Sequence, residues 1–401
     1  MSNHPDSHPT EPNGTEREPR ATSSSWLAER GAPIDADVAR LQRGDLILLV
    51  GTTTRVLDDC RIANGAVITA PSQLPSYPVE APDGMVCRPG ESLPLVIAAA
   101  DGLGRNERNS VLAWLTNRAA GFNEDGYLRR SYAIHGRVTD RRPDRMGTAM
   151  LLGAICAHPE RAKPDPTRAI VRQLAAGLAL GRDRRQASPS PLVDLAESAL
   201  SAMALHSMSA ILPADEWERA AVREDERRDG LMAPVREHIL AGARVDLRLF
   251  ERPADSREFS STGPRRLFPD DGTEQSALVA LSWVSGLEPA LRAAVLDKLT
   301  KELFPDDADP EGKVLVADLF WLAIALEQAG QSARAGDLFT AALDLADANG
   351  HFPEWVRSAG ATDTPATPSL PAHLCFVLAA GILGRLRDLP QSGYTSARRR
   401  S

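Results

Sequence analysis

After Gly90 one pattern constrains the chain more than any other: apolar residues recur at helical spacing in segment after segment, separated mostly by Gly, Asn and Pro. The spacing predicts helices over roughly 91–102, 106–120, 144–157, 166–180, 192–211, 214–223, 230–242, 274–286, 288–303, 314–329, 332–348 and 371–389. Leu315, Leu319, Leu322 and Leu326 form one apolar stripe, and Leu338, Ala342 and Leu345 another. About a dozen such helices define an all-α chain. Ala and Leu dominate and aromatics are only 5%, which suits closely packed helices better than a sandwich of strands.

A helical solenoid is the first architecture to test. Residues 323–344 resemble one tetratricopeptide unit, yet self-similarity at a period of about 34 residues is missing elsewhere, and a solenoid needs several units. The short repeat Phe-Pro-Asp-Asp, at Phe268–Asp271 and Phe304–Asp307, suits turns and helix caps. Flanking Pro305 and Pro310 set the second copy in a turn, not on the helix that a magnesium-diphosphate site requires.

The segment before Gly90 reads differently. Residues 1–25 are rich in Pro, Ser, Thr, Glu and Asn, with no apolar core of a signal peptide, and read as a disordered leader. Residues 26–90 are expected to be irregular, with one or two helical turns over 25–43, and a strand or helix start at 45–51. Pro71, Pro75, Pro78, Pro82 and Pro89 make the rest a long structured loop. Order is expected to begin near Trp26, with the main helical domain over 91–390 and a disordered basic tail at 391–401.

Charge and chemistry-bearing residues exclude several functions. A net charge of −8 offers no positive field for nucleic acid, and no apolar run approaches a membrane span. Cys60, Cys87, Cys156 and Cys375 are widely separated, and the eight histidines form no paired ligand motif, so neither metal nor cofactor is expected. No phosphate loop or nucleophile elbow is present. The expected location is cytoplasmic.

Carboxylates remain. Glu354 lies in Asn349-Gly350-His351-Phe352-Pro353-Glu354-Trp355, at the corner between a long helical run and a loop too rich in Thr, Pro and Gly to continue it. A carboxylate on such a corner, beside an aromatic ring, is well placed as a catalytic base.

The surrounding residues resemble a family. Phe320-Trp321-Leu322-Ala323-Ile324-Ala325-Leu326, then Gly330, a second helix, Gly350-His351-Phe352-Pro353-Glu354, and Pro371-Ala372-His373 are similar to the penultimate helix pair and last helix of the glucoamylase/trehalase-type glycoside hydrolases, family 15. Asn64-Gly65-Ala66-Val67 to Tyr77, Asp125 to Gly136, and Arg142 to Gly147 resemble earlier segments of that family. The similarity spans about Asn64 to Leu389 and implies an (α/α)6 barrel of about twelve helices with an irregular N-terminal segment.

The resemblance also implies a mechanism. Glu354 would be the general base, and Glu197, in Leu192-Val193-Asp194-Leu195-Ala196-Glu197, the general acid of an inverting hydrolysis. Glu216 and Glu218 are alternatives for the acid. An acid at Glu197 needs an apolar or carboxylate-rich setting. Tyr77, Tyr132 and Trp355 are expected to offer ring faces to a sugar, and Arg88, Glu91 and Asp144 to bind its hydroxyls. Asp144 and Asp194–Glu197 equally suit helix caps and dipoles.

Departures fall where the family binds substrate. Arg88-Pro89-Gly90-Glu91 replaces its Arg-Asp pair, Ala196 replaces a Trp, and Ser198 replaces a frequent acid. Two readings follow. One is a glycosidase of an unusual small-molecule glycoside, such as an amino-sugar or secondary-metabolite glycoside. The other is a repurposed, non-catalytic barrel that binds a ligand or protein partner in the old cleft.

Overall fold

The computed structural model describes residues 36–70, 86–100, 103, 108–119, 121–157, 165–180, 190–209, 211–212, 214–240, 274–282, 284, 287–303, 313–357 and 367–386. The expected leader at 1–25, the tail at 391–401, both Phe-Pro-Asp-Asp copies and Tyr77 lie outside the described residues.

The helices are α1 (Ala36–Cys60), α2 (Pro89–Ala100), α3 (Arg108–Asn117), the single turn α4 (Phe122–Asp125), α5 (Arg145–Cys156), α6 (Asp165–Leu180) and α7 (Pro191–Ser209). They continue as α8 (Asp215–Leu240), α9 (Glu274–Ser282), α10 (Pro289–Leu303), α11 (Val316–Gln328), α12 (Ser332–Leu343) and α13 (Leu370–Ile382). Helices α2, α5, α7, α9, α11 and α13 each pack on the next, and α13 returns to α2, so these six close a ring. Around it, α3 packs on α2, α6 on α5 and α7, α8 on α7, α10 on α9 and α11, α12 on α11, and α1 on α13. This is the (α/α)6 barrel: among the described residues an inner ring of six helices lies inside an outer six.

Inner helices are apolar on nearly every side, as elements covered all round must be. In α13 every residue from Leu370 to Val377 is buried, and in α11 every residue from Val316 to Leu326. At the α11–α13 contact the rings of Phe320, Phe352 and Phe376 lie 5.2 to 5.9 Å apart, centre to centre, in edge and tilted arrangements.

Short strands mark one end of the barrel. β1 (Val86–Cys87) leads to α2, and β3 (Val138–Asp144) runs directly into α5. With β2 (Leu128–Ala133) between them they form an antiparallel sheet in the order β1-β2-β3. β4 (Lys313–Leu315) runs into α11 and pairs antiparallel with β5 (Trp355–Arg357), matching Leu315 to Trp355.

Two expectations about helices are corrected. The segment expected to be irregular contains the 25-residue helix α1. Leu46, Leu49, Val50, Val56, Leu57 and Cys60 are buried on it at helical spacing, so packing on α13 overrides the low helix propensity of Thr52-Thr53-Thr54. The two helices expected over 214–223 and 230–242 are one, α8, despite Gly230 and Pro234. Its charged middle pairs within itself and with neighbours, Arg228 with Asp225 at 2.6 Å and Arg236 with Glu288 at 3.1 Å, so polarity there marks an outer face.

Candidate functional site

The strand-bearing end of the barrel gathers the first turns of several inner helices, and with them most of the expected site residues. Arg88 is half-buried, and its carbonyl accepts the amides of Glu91 and Ser92, at 3.1 and 3.0 Å, at the start of α2. Glu91, in the first turn of α2, is buried.

Asp144 ends β3 and caps α5, its Oδ1 accepting the Gly147 amide at 2.7 Å. Only 4% of Asp144 is exposed. Burial pushes its carboxyl up to about 7, the charges of Glu197 and Glu91 add to that, and the Gly147 amide and Arg130 oppose it. The capping use is therefore the one the geometry displays, and Asp144 acts on its surroundings chiefly as a buried carboxyl.

Glu197 occupies the second turn of α7 and is 16% exposed at its side chain. Its Oε2 lies 3.8 Å from Nε of Arg145, whose Nη2 donates to Glu224 of α8 at 2.8 Å. Arg145 is thus a fully buried cation set between two carboxylates, 3.4 Å from the Tyr127 hydroxyl. In the first turn of the same helix Asp194 pairs with Arg227 at 3.1 Å, which ties α7 to α8.

Glu354 is half-buried between two inner helices. Its carbonyl accepts the Val316 amide at the head of α11, at 3.1 Å. Two residues earlier, Phe352 is clamped to the head of α13. The Phe352 amide donates to Nε2 of His373 at 3.2 Å, and the Phe352 carbonyl accepts the Ser369 amide at 2.9 Å. Preceding it is a tight turn in which Gly350 has φ +76°, and the amides of Asn349 and His351 donate to Asp347 Oδ1 at 2.8 and 2.9 Å.

Two ring assignments are corrected. Tyr132 is 0% exposed: its ring packs edge-on to Trp114 at 5.7 Å, and its hydroxyl accepts the Arg129 amide at 3.0 Å. Trp355 is 5% exposed, a strand residue turned into the core beside Leu315. Residue type alone suggested both as sugar platforms, but burial leaves neither with an open face.

Three further residues were not singled out by the sequence. Arg145 follows a capping Asp and reads as an ordinary helix-start Arg. Asp318 lies in the first turn of α11, fully buried, and neither carboxyl oxygen has a hydrogen-bond partner among the described residues. Burial drives its carboxyl well above the usual range, and the neighbouring Glu91 charge adds to that. Its signal was an acid inside an otherwise apolar run, Val316 to Leu326. Thr53 is the third: its Oγ1 lies 3.0 Å from Nδ1 of His373 across the α1–α13 contact. Glu91, which the sequence did single out, links these positions, because its charge bears on Asp144, Asp318 and Cys375 alike.

No protein-family model matches the sequence, and no curated protein matches it. Solved structures do match in fold. A glycosidase variant in complex with glucose matches at TM-score 0.60 and 18% identity, covering 89% of this chain and all of that one. A bacterial glucoamylase complexed with acarbose matches at 0.56 and 15% identity, covering 85% of this chain and 56% of that one. The glucoamylase from Saccharomycopsis fibuligera matches at 0.53 and 11% identity, covering 90% and 98%. The fold is the (α/α)6 barrel of the glucoamylase type. Among the described residues no helix is long and apolar enough to cross a membrane.

Proposed function

We propose that this chain is a divergent glycoside hydrolase of the family 15 type, cleaving an unusual small-molecule glycoside by inverting acid/base catalysis. Glu354 takes a proton from the attacking water, and Glu197 protonates the departing glycosidic oxygen. The observation that carries this reading is the fixing of Glu354. Its backbone is bonded to α11 and, through Phe352, to α13, at the barrel end where β3 feeds α5 and Arg145 meets Glu197. A base held by two inner helices is preorganised for one geometry. The sugar ligands named in two of the matched structures, glucose and acarbose, agree with a sugar-like ligand here. The substituted positions at Arg88-Pro89-Gly90-Glu91 and Ala196, and the burial of Tyr132 and Trp355, argue for a substrate other than starch or trehalose, and the net charge of −8 is compatible with an amino-sugar glycoside.

The test is a screen of aryl glycosides, including amino-sugar glycosides, with the product anomer followed by proton NMR. The expected result is release of the inverted anomer and its loss in Glu354→Gln with the fold intact. Wild-type protein inert on the whole panel, or Glu354→Gln as active as wild type, would sink the proposal.

One observation favours a second reading, a barrel that binds a sugar-like ligand without cleaving it. Arg145 Nε lies 3.8 Å from Glu197 Oε2 while its Nη2 holds Glu224, so Glu197 is engaged in a buried ion-pair cluster that ties α5 to α7 and α8, a structural use of that carboxylate. In that case the screen gives binding without turnover.

A further inference from the structure

We infer that helix α1 is a strut that positions Glu354, acting through Thr53 and His373, so that His373 is a positioning residue for the proposed base. The inference rests on the reading of Glu354 given above.

The hydrogen-bond polarity of the strut is fully determined. The Phe352 amide can only donate, so Nε2 of His373, 3.2 Å away, must be the acceptor. The ring proton then sits on Nδ1 and is donated to Thr53 Oγ1 at 3.0 Å. Thr53 in turn donates its own proton to the Leu49 carbonyl one turn back, at 2.8 Å. A single chain of bonds runs from the backbone of an outer helix, through a neutral imidazole, to the backbone of the loop. His373 is fully buried, with its ring centre 5.0 Å from that of Phe352, and these bonds fix its orientation.

A second tie lies one turn of the loop earlier. Thr52 Oγ1 donates to the Asn349 carbonyl at 3.3 Å, and a Cβ on Gly350 would come within 3.3 Å of Leu49 and Thr52. From Asn349 to Phe352 the loop therefore rests on α1 and α13. From Phe352 only Pro353 separates this anchor from Glu354, whose own carbonyl is bonded to Val316. Proline fixes its own φ, so the short bridge transmits the position of Phe352 to Glu354 with little slack.

The experiment uses the full chain and three variants: Thr53→Val, His373→Leu and His373→Gln, the last able to return an acceptor to the Phe352 amide. Hydrogen–deuterium exchange is followed in the peptide spanning 349–356 and, as a control, in 191–209 of α7. In parallel, kcat and KM are measured on the aryl glycoside that the wild type turns over. The expected result is faster exchange confined to 349–356 in Thr53→Val and His373→Leu, and partial restoration in His373→Gln. With it, kcat falls about ten- to a hundredfold while KM changes little, as for a misplaced catalytic group.

Unchanged exchange at 349–356, or an equal rise in the α7 control, would overturn the strut. So would local loosening in an active enzyme with kcat unchanged. If the wild type turns over no glycoside, the hydrolase reading fails on its own, and the exchange pattern alone decides whether α1 holds the loop.

Discussion

Gly90 and Asp144 stand so close that a Cβ on Gly90 would lie 1.7 Å from Asp144 Oδ2 and 3.1 Å from the Gly147 backbone. Helices α2 and α5 therefore meet across a carboxyl with no space for a methyl group. Because Asp144 is held by its cap bond to Gly147, it cannot swing aside. Gly90→Ala is expected to destabilise the protein by about 1–3 kcal/mol, the usual cost of overpacking. Gly153→Ala, on the same α5 with nothing within 4 Å of its Cβ, is the control and should be neutral or stabilising by about 0.4–1 kcal/mol. Urea titrations of the two variants decide it, and equal losses would refute the tight crossing.

Arg145 joins α5 to α7 and α8 through Glu197 and Glu224. Arg145→Met leaves both carboxylates without their buried cation and should cost about 3–5 kcal/mol. Replacing Glu224 by Leu in the same chain removes one of the stranded charges and should recover a large part of that loss. Strictly additive effects in the double-mutant cycle would show that the pair is not coupled.

Asp318 ties stability to pH. With its folded pKa raised by burial and by Glu91, the native state holds the proton more tightly than the unfolded chain does. Stability is therefore lost as pH rises above the ordinary carboxylate range of about 4. Asp318→Asn keeps the neutral shape, so it should match wild type near pH 4 and exceed it increasingly towards pH 8. The gain should grow by up to about 1.4 kcal/mol for each pH unit above about 4, levelling off once the folded carboxyl ionises. Denaturant midpoints at the two pH values measure this, and a gain that shrinks with pH would contradict it.

His373 runs the other way. Burial, followed by the charge of His351, lowers it to about 3 from an ordinary 6.5. The stability contributed by the neutral ring is complete above about pH 6.5 and is lost as pH falls towards 3. His373→Gln should be less stable than wild type at pH 7, and the deficit should narrow as pH falls to 4. Thermal melts across that interval provide the check.

The helices after Gly90 were legible because their apolar spacing is local. The stretch Asn349 to Trp355 was expected as a helix-to-loop corner, but α12 already ends at Leu343 and Glu354 instead leads into strand β5. Helix α1 was not legible, because three threonines and Gly51 interrupt its pattern and its stripe has meaning only against α13. Tyr132 and Trp355 show the same limit at single residues: type gives a ring, and only the strand register tells which way it faces. Asp318 left one sequence signal, an acid inside the apolar run Val316 to Leu326. An acid in a first helical turn also suits a dipole role, and only the three-dimensional contacts show that its carboxyl oxygens have no hydrogen-bond partner among the described residues.

The contact of α1 with α13 has a consequence for the order of assembly. Thr53 and His373 are separated by 320 positions in sequence, and the inner ring closes only where α13 meets α2. Segments 320 positions apart must therefore meet before the Glu354 loop takes its final form. Closing so long a loop carries a large entropic cost, so this contact forms late and not piecemeal as the helices emerge.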